Sequence, residues 1–389
     1  MLKTQSIRLG DVVRVKHGFA FSGKEFSDDL SYPTLLTPAN FAIGGGFQEA
    51  KPKTFLGDFP AEYELKPGDL VITMTDLSKG GDTLGLPALI PDGRTYLHNQ
   101  RIGLVEIIDP NRVSKPFLAY YLRTPLYRSY ILGTASGSTV RHTSPSRIES
   151  FNAVLPTLTE QRAIAEVLCA LDDKIAANNA CVRLIDEHLA AEYELVIQQE
   201  KVVEELGVIA EFHNKRRIPL SAKQRDERPG TVPYYGASGV FGYVNEALFD
   251  EPLVLVGEDG SVINADGTPV TQYIWGPAWV NNHAHALKGK VVSTELLYYA
   301  IQRSQVSTLV TGAVQPKINM GNLKRLQLTL PVPEFRAATE AIISDEVAAK
   351  RAFTTENRTL TATRDTLLPQ LMSGKLRVRD AEKVLEDAL

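Results

Sequence analysis

The residues best suited to chemistry are Asn281-Asn282-His283-Ala284-His285, with Glu258-Asp259 upstream. A His-x-His pair on a strand would set both imidazoles on one face, where they could hold a metal ion. Two histidines without a clear third ligand make a poor centre, so a polar, hydrogen-bonding strand end is the preferred reading. Tyr96-Leu97-His98-Asn99-Gln100-Arg101 occupies the matching place earlier in the chain and lacks a second histidine, which argues against a shared metal site. The chain has no G-x-x-x-x-G-K-[ST] phosphate loop, no G-x-G-x-x-G fingerprint and no G-x-S-x-G nucleophile elbow. The Asn-Pro-Pro-aromatic tetrapeptide expected of an amino-methyltransferase is also missing.

An internal repeat places these residues. Residues 116–168 run from PFLAYYLRTPLYRSYILGTASGS to VLPTLTEQRAIAEVL, and residues 294–343 from TELLYYAIQRSQVSTLVTGAVQ to LTLPVPEFRAATEAII. Tyr120-Tyr121 answers Tyr298-Tyr299, and Leu155-Pro156 answers Leu330-Pro331. Gly137 to Pro156 and Gly312 to Pro331 are both nineteen residues. Upstream, residues 68–73 resemble 251–256, and Leu9-Gly10-Asp11-Val12 resembles Leu206-Gly207-Val208-Ile209. The offset is 175 to 178 in the better-matched part and drifts to 197 at the start. Two copies of one frame therefore differ in their loops, where binding specificity usually resides.

Each copy opens with β-rich runs: 12–15, 70–74 and 103–108 in the first, 253–256 and 272–275 in the second. A helix near 115–130 and a Gly/Ser/Thr loop at 133–144 follow, mirrored by a helix near 294–308 and a loop at 312–320. Next comes a long helix. Thr157 and Thr159 are N-cap candidates, and no Pro or Gly intervenes before Gly207. Apolar residues at 164, 168, 171, 175, 182, 185, 189 and 196, with Asn178 between them, have coiled-coil seam spacing. About 45 helical residues would span roughly 65 Å. Ile343, Val347, Phe353, Leu360, Leu367 and Leu371, with Asn357 among them, form a looser stripe from Pro333 to Met372, and Ser373-Gly374 ends it as a C-cap would. Neither helix can bury its stripe alone, so the two are expected to pack antiparallel; two independent surface helices are the alternative.

The chain has 389 residues, 43% hydrophobic and 23% charged, which suggests about two to four folded domains. Its net charge of −4 argues, at first sight, against a nucleic-acid binder. Divided along the chain, the charge is +2 over residues 1–155, −5 over 156–203, 0 over 204–330 and −1 over 331–389. No acid falls between Asp109 and Glu149, and Glu295 is the only one between Asp266 and Glu334. These acid-poor, basic stretches fall at matching places, which suits phosphate contact. Cys169 and Cys181, twelve residues apart on one helix, would be about 18 Å apart and are expected to be free thiols. Met1-Leu2-Lys3-Thr4-Gln5 lacks a signal-peptide core, and no apolar run approaches the ~20 residues of a membrane span. A cytoplasmic protein without a membrane partner is expected.

The chain resembles the specificity (S) subunits of type I restriction–modification systems. LPTLTEQRAIAEVLCALDDKI (155–175), LPVPEFRAATEAI (330–342) and LLPQLMSGKLRV (367–378) carry the likeness, together with VPYYGASGVFGYVNEALFD (232–250), LVGEDGSV (255–262) and WVNNHAHAL (279–287). The resemblance implies a mixed α+β fold of two pseudo-repeated, β-rich target-recognition domains joined by two long helices in an antiparallel coiled coil. The expected division is 1–155, first recognition domain; 156–203, first spacer helix; 204–330, second recognition domain; 331–375, second spacer helix; 376–389, C-terminal tail. Each domain would read one half of a split, asymmetric site in double-stranded DNA, and the coiled coil would set the gap. Partners would be two methyltransferase (M) subunits using S-adenosylmethionine and two motor-nuclease (R) subunits using ATP and Mg²⁺, with no cofactor or metal on this non-catalytic chain. The DNA-binding candidates are His98, Asn99, Gln100, Arg101 and Arg141 in the first domain, and Lys215, Arg216, Arg217, Asn281, His283 and Lys317 in the second. PEFRAA at 333–338 departs from the Glu-Gln of the first copy and puts a helix-start contact in doubt. Two other classes stay open: a non-DNA adaptor on a coiled-coil strut, and a solo enzyme with a metal at His283 and His285.

Overall fold

The structure is a computed structural model that describes residues 4–78, 80–312 and 314–388. Met1–Lys3 of the N-terminal segment and Ala313 of the 312–320 loop lie outside the described residues. The chain divides into two compact units, Met1–Ala177 with Asn357–Leu389, and Asn178–Glu356.

Each unit is built on a four-stranded antiparallel sheet. In the first the order is Val13–His17, Ile102–Ile107, Leu70–Thr73, Pro87–Leu89; in the second it is Ala210–Phe212, Ala284–Gly289, Leu253–Gly257, Thr271–Ile274. The inner strands Leu70–Thr73 and Leu253–Gly257 are buried throughout, which explains why their sequences are continuous apolar runs rather than alternations. Successive side chains point to opposite faces. Leu70 and Ile72 pack with Phe117, Leu118 and Tyr121, while Val71 packs with Leu36, Phe41 and Tyr96. Likewise Val254 and Val256 pack with Leu296, Leu297 and Ile301, while Leu253 and Leu255 pack with Phe249, Ala278 and Val280. Each fully buried aliphatic side chain of this kind contributes about 1.5–3 kcal/mol.

The opposite face meets a second sheet with a repeated topology. Thr34–Leu35 runs parallel to Tyr96–Leu97, and Val232–Tyr235 runs parallel to Pro277–Val280. A parallel pair requires a long crossover, so finding it in the same place twice marks common architecture. A five-rung antiparallel pair closes each unit: Thr4–Arg8 with Asn152–Pro156, and Lys201–Glu205 with Gln327–Pro331.

The expected helix near 115–130 is two helices, Lys115–Tyr121 and Pro125–Thr134. Pro125 disfavours helical backbone at the residue before it, and Thr124 accordingly sits at φ −63°, ψ 148°. In the second unit the helix Thr294–Gln302 is shorter than expected.

The long helices are Leu158–Gln199 and Pro333–Met372. Thr157, not Thr159, opens the first: its hydroxyl accepts from Glu160 N at 3.4 Å, while its own N–H donates to Glu160 Oε2 at 3.1 Å. Within each unit the two helical segments present run antiparallel. In the first unit Leu168 and Leu171 share a core with Leu360, Leu367 and Leu371, and Arg364 donates to Asp172 at 2.6 Å. In the second, Leu189 and Tyr193 share a core with Ile343 and Val347, and Asn178 donates to Glu356 at 2.7 Å. Asn178 is buried, the polar interruption that the seam spacing indicated. The segment expected as a tail carries an amphipathic helix, Val378–Ala388, with Ala381 buried against the first core.

Candidate nucleic-acid interface

In the first unit His98–Arg101 form the turn between Tyr96–Leu97 and Ile102–Ile107. Asn99 Oδ1 accepts from Arg101 N at 3.1 Å, closing an Asx turn that leaves Gln100 and Arg101 exposed. In the second unit Asn281 Oδ1 accepts from His283 N at 2.8 Å in the same way, leaving Asn282 and His283 exposed. The structure thus pairs Asn99 with Asn281 and Arg101 with His283.

A second element meets each turn. Ser136 and His142 exchange backbone hydrogen bonds of 3.0 and 2.8 Å, as Thr311 and Lys317 do at 2.8 and 2.7 Å. Gly137 (φ 91°) and Gly312 (φ 90°) open the two loops in the left-handed region, which accounts for this matched pair of glycines. His142 therefore holds the place of Lys317, and the candidate Arg141 lies one residue earlier, half-buried and paired across strands with Asp76.

One backbone position joins the two elements in each unit. Met74 N donates to Arg101 O at 2.8 Å, and Met74 O accepts from Thr143 N at 3.0 Å. Glu258 N donates to His283 O at 2.8 Å, and Glu258 O accepts from Ile318 N at 2.9 Å. An Asn-x-basic turn and a basic hairpin are thereby fixed side by side twice, on the same frame.

Beneath these turns the polar groups are inward and paired. His98 is 1% exposed, and its Nε2 donates to Ile102 O at 2.9 Å. Burial pulls its pKa below the usual histidine range. His285 is fully buried, with Nε2 donating to Ile318 O and Nδ1 accepting from Asn214 Nδ2, both at 2.8 Å. Burial lowers its pKa too, against the opposing pull of Ile318 O and Glu258. Arg217 donates to Glu258 Oε2 at 2.7 Å and Ala284 O at 2.6 Å. Arg216 donates to Glu251 and to Leu248 O, both at 2.7 Å, and covers the Phe249 ring. Lys288 and Arg216 hydrogen-bond Glu251 and hold its carboxyl below the usual range. His98, Asn99, Arg217 and Asn281 therefore brace the turns from within, whereas Gln100, Arg101, Lys215, His283 and Lys317 face outward.

In the first unit the loop after Thr75–Asp76 is braced separately. Asp76 accepts from Ser78 N at 2.6 Å and from Thr83 N and Oγ1 at 2.5 and 2.8 Å. Although burial raises its pKa, these hydrogen bonds outweigh it and hold the carboxylate ionised below the usual range. Arg128 caps the far side through Gly81 O at 2.8 Å.

His283 Nδ1 pairs with Asp259 and His285 with Asn214, so the His-x-His pair is divided between separate partners. Among the described residues no group of three or more His, Cys, Asp or Glu could hold a metal ion, and no helix is long and apolar enough to cross a membrane. Cys169 and Cys181 are free thiols. A cavity in the second unit brings Asn281 and His283 together with Arg225, Tyr234, Phe241 and Gln315. None of the last four is among the sequence candidates, although VPYYGASGVFGY carries two of them.

The family model for the type I restriction modification DNA specificity domain matches residues 1–182 and 198–343. A candidate type I restriction enzyme specificity subunit of Haemophilus influenzae is 28% identical over 138 residues, 35% of this chain and 34% of that protein. The specificity subunit of the Escherichia coli type I restriction enzyme EcoBI is 27% identical over 183 residues, 47% of this chain and 35% of that protein. The matched region thus spans about a third of the length of these curated relatives. The S subunit of a type I restriction–modification system from M. genitalium shares the fold, with a TM-score of 0.59 and 16% identity over 95% of this chain and 96% of that one.

Proposed function

The chain belongs to the type I restriction–modification DNA specificity family, and we propose that it is the sequence-reading subunit of such a complex. Each unit reads one half of a split, asymmetric site in double-stranded DNA. The observation that carries this reading is the repeated junction at Met74 and Glu258, where one backbone position ties an Asn-x-basic turn to a basic hairpin. Two copies of one frame with different outward side chains suit two different half-sites. Lys215 and Lys317 contact phosphate, while Gln100, Arg101, Asn282 and His283 read base edges; their exposure supports this. Braced turns suit this work, because a preorganised contact loses less freedom on binding.

On this reading the long helices set the gap between half-sites. Major grooves return to one face of the duplex every ~34–36 Å, and a helical spacer selects among those returns. The chain itself is non-catalytic and holds no cofactor. It works in the cytoplasm with two methyltransferase subunits that use S-adenosylmethionine and two motor-nuclease subunits that use ATP and Mg²⁺. Single-molecule methylation mapping of genomic DNA, with and without the gene, tests the assignment. A bipartite motif should be methylated only when the gene is present; a methylome indifferent to its loss would end the proposal.

A further inference from the structure

The cavity in the second unit has walls that reading a stacked duplex does not require. It measures about 430 Å³, and its lining includes Leu220, Tyr234, Phe241, Asn281, His283 and Gln315. It opens where the Asn281–His283 turn, the strands Val232–Tyr235 and Val240–Val244, and the hairpin closed by Thr311 and Lys317 converge. Its walls are largely apolar; Asn281, His283 and Gln315 sit on the same loops as the outward candidates, and Arg225 and Asp259 add charged groups from elsewhere in the unit.

Phe241 is 57% exposed, on the edge strand of its sheet. Its ring lies directly on the backbone of Gly236, where an added Cβ would overlap Phe241 Cε2. A glycine there is thus a condition of the ring's position. Gln272 Nε2 donates to Gly236 O at 2.8 Å and Ala237 O at 3.1 Å, which fixes the turn under the ring. On the neighbouring strand, the Tyr234 ring is covered by Arg225, and the Tyr234 hydroxyl accepts from Leu220 N at 2.8 Å. The two aromatic groups are therefore held in place before any ligand arrives.

An exposed aromatic ring beside a largely apolar slot, with amide and imidazole groups at the slot, matches the two faces of a nucleobase. The ring meets the π-face and the polar groups meet the hydrogen-bonding edge. A base stacked in a duplex offers only its edge, so a base that enters this slot must leave the stack. We propose that the cavity receives one nucleobase of the half-site read by the second unit, unstacked from the duplex, with Phe241 stacking on it and Asn281 Nδ2, whose Oδ1 stays in the turn, bonding its edge together with the Gln315 amide. This rests on the DNA-reading assignment above.

The test uses the full chain assembled with its methyltransferase subunits and a duplex carrying the mapped site. 2-Aminopurine is placed at each position of the second half-site in turn. Besides the base that a methyltransferase subunit extrudes for methylation, one further position should brighten several-fold on binding. That rise should be lost in Phe241→Ser, kept in Phe241→Trp, and accompanied in Phe241→Ser by about tenfold weaker binding. Selective binding with no brightening beyond the base extruded into a methyltransferase subunit, or a further rise that survives Phe241→Ser, overturns the cavity proposal and leaves DNA reading intact. Absence of any site-selective binding removes both.

Discussion

Lys215 and Arg217 stand two residues apart, and only the structure separates their roles. Lys215 is exposed, whereas the Arg217 side chain is 11% exposed against a Glu258 side chain at 17%. Arg217→Ala should destabilise the second unit by about 2–3 kcal/mol in urea unfolding, because Glu258 loses its buried partner. Lys215→Ala should leave stability within about 0.5 kcal/mol. It should lower the slope of log affinity against log salt by about one; an unchanged slope removes Lys215 from the phosphate contacts. The buried histidines add a pH dependence. His98 and His285 have folded pKa values depressed from 6.5 by burial, so unfolding takes up their protons. Their stabilising contribution is complete above the unfolded value of about 6.5 and is lost as pH falls below it. Thermal unfolding between pH 7.5 and 5.5 should show a steeper decline for the wild type than for His285→Gln. The Asn-x-basic spacing was legible in sequence at both sites, but not which of its neighbours turn inward.

At the scale of elements, the start of each long helix explains the departure at PEFRAA. Gln161 is fully buried; its Oε1 accepts from Ser114 N, and its Nε2 donates to Arg112 O and Pro156 O, all at 2.9 Å. Arg336 stands in its place in the second copy, donating to Pro331 O at 3.4 Å and pairing with Glu204 at 3.1 Å. The helix-to-strand tie survives with different chemistry. Further along, Asp172 accepts from Tyr120 OH at 2.7 Å and Arg364 Nη1 at 2.6 Å, with Arg123 at 3.9 Å. Asp172→Ala would leave two guanidinium groups without their shared carboxylate. It should cost the first unit about 2–4 kcal/mol by denaturant unfolding, partial exposure of Asp172 reducing the full buried-pair figure. Asp172→Asn, which can still accept from Tyr120, should cost less. The apolar stripes revealed these helices in advance, since burial of one face imposes a period. The Asp172 cluster carries no such period, because its members come from residues far apart in the chain.

At the scale of the whole molecule, the net charge of −4 is an average over unlike parts: residues 156–203 carry −5, whereas residues 1–155 carry +2 and residues 204–330 carry 0. If the helices set the gap, adding one heptad to each should lengthen it and leave both half-sites unchanged. Seven residues add about 10 Å, or roughly three base pairs, and a heptad keeps the seam on its face. Methylation mapping of the variant reads the gap directly; an unchanged gap would refute the ruler. The repeat, the apolar strand runs at 12–15, 70–74, 103–108, 253–256 and 272–275, the two long helices and the family were determined by the sequence itself, because each leaves a local period or motif; the second sheet of each unit, with its short strands, was not. Only the tertiary structure decided that Met74 and Glu258 join turn to hairpin, that Arg217 and His98 brace while Lys215 and Arg101 face outward, and that Phe241 lies on Gly236 at the mouth of a cavity. Those facts depend on backbone and side-chain contacts between residues distant in the chain, and such contacts leave no spacing to read.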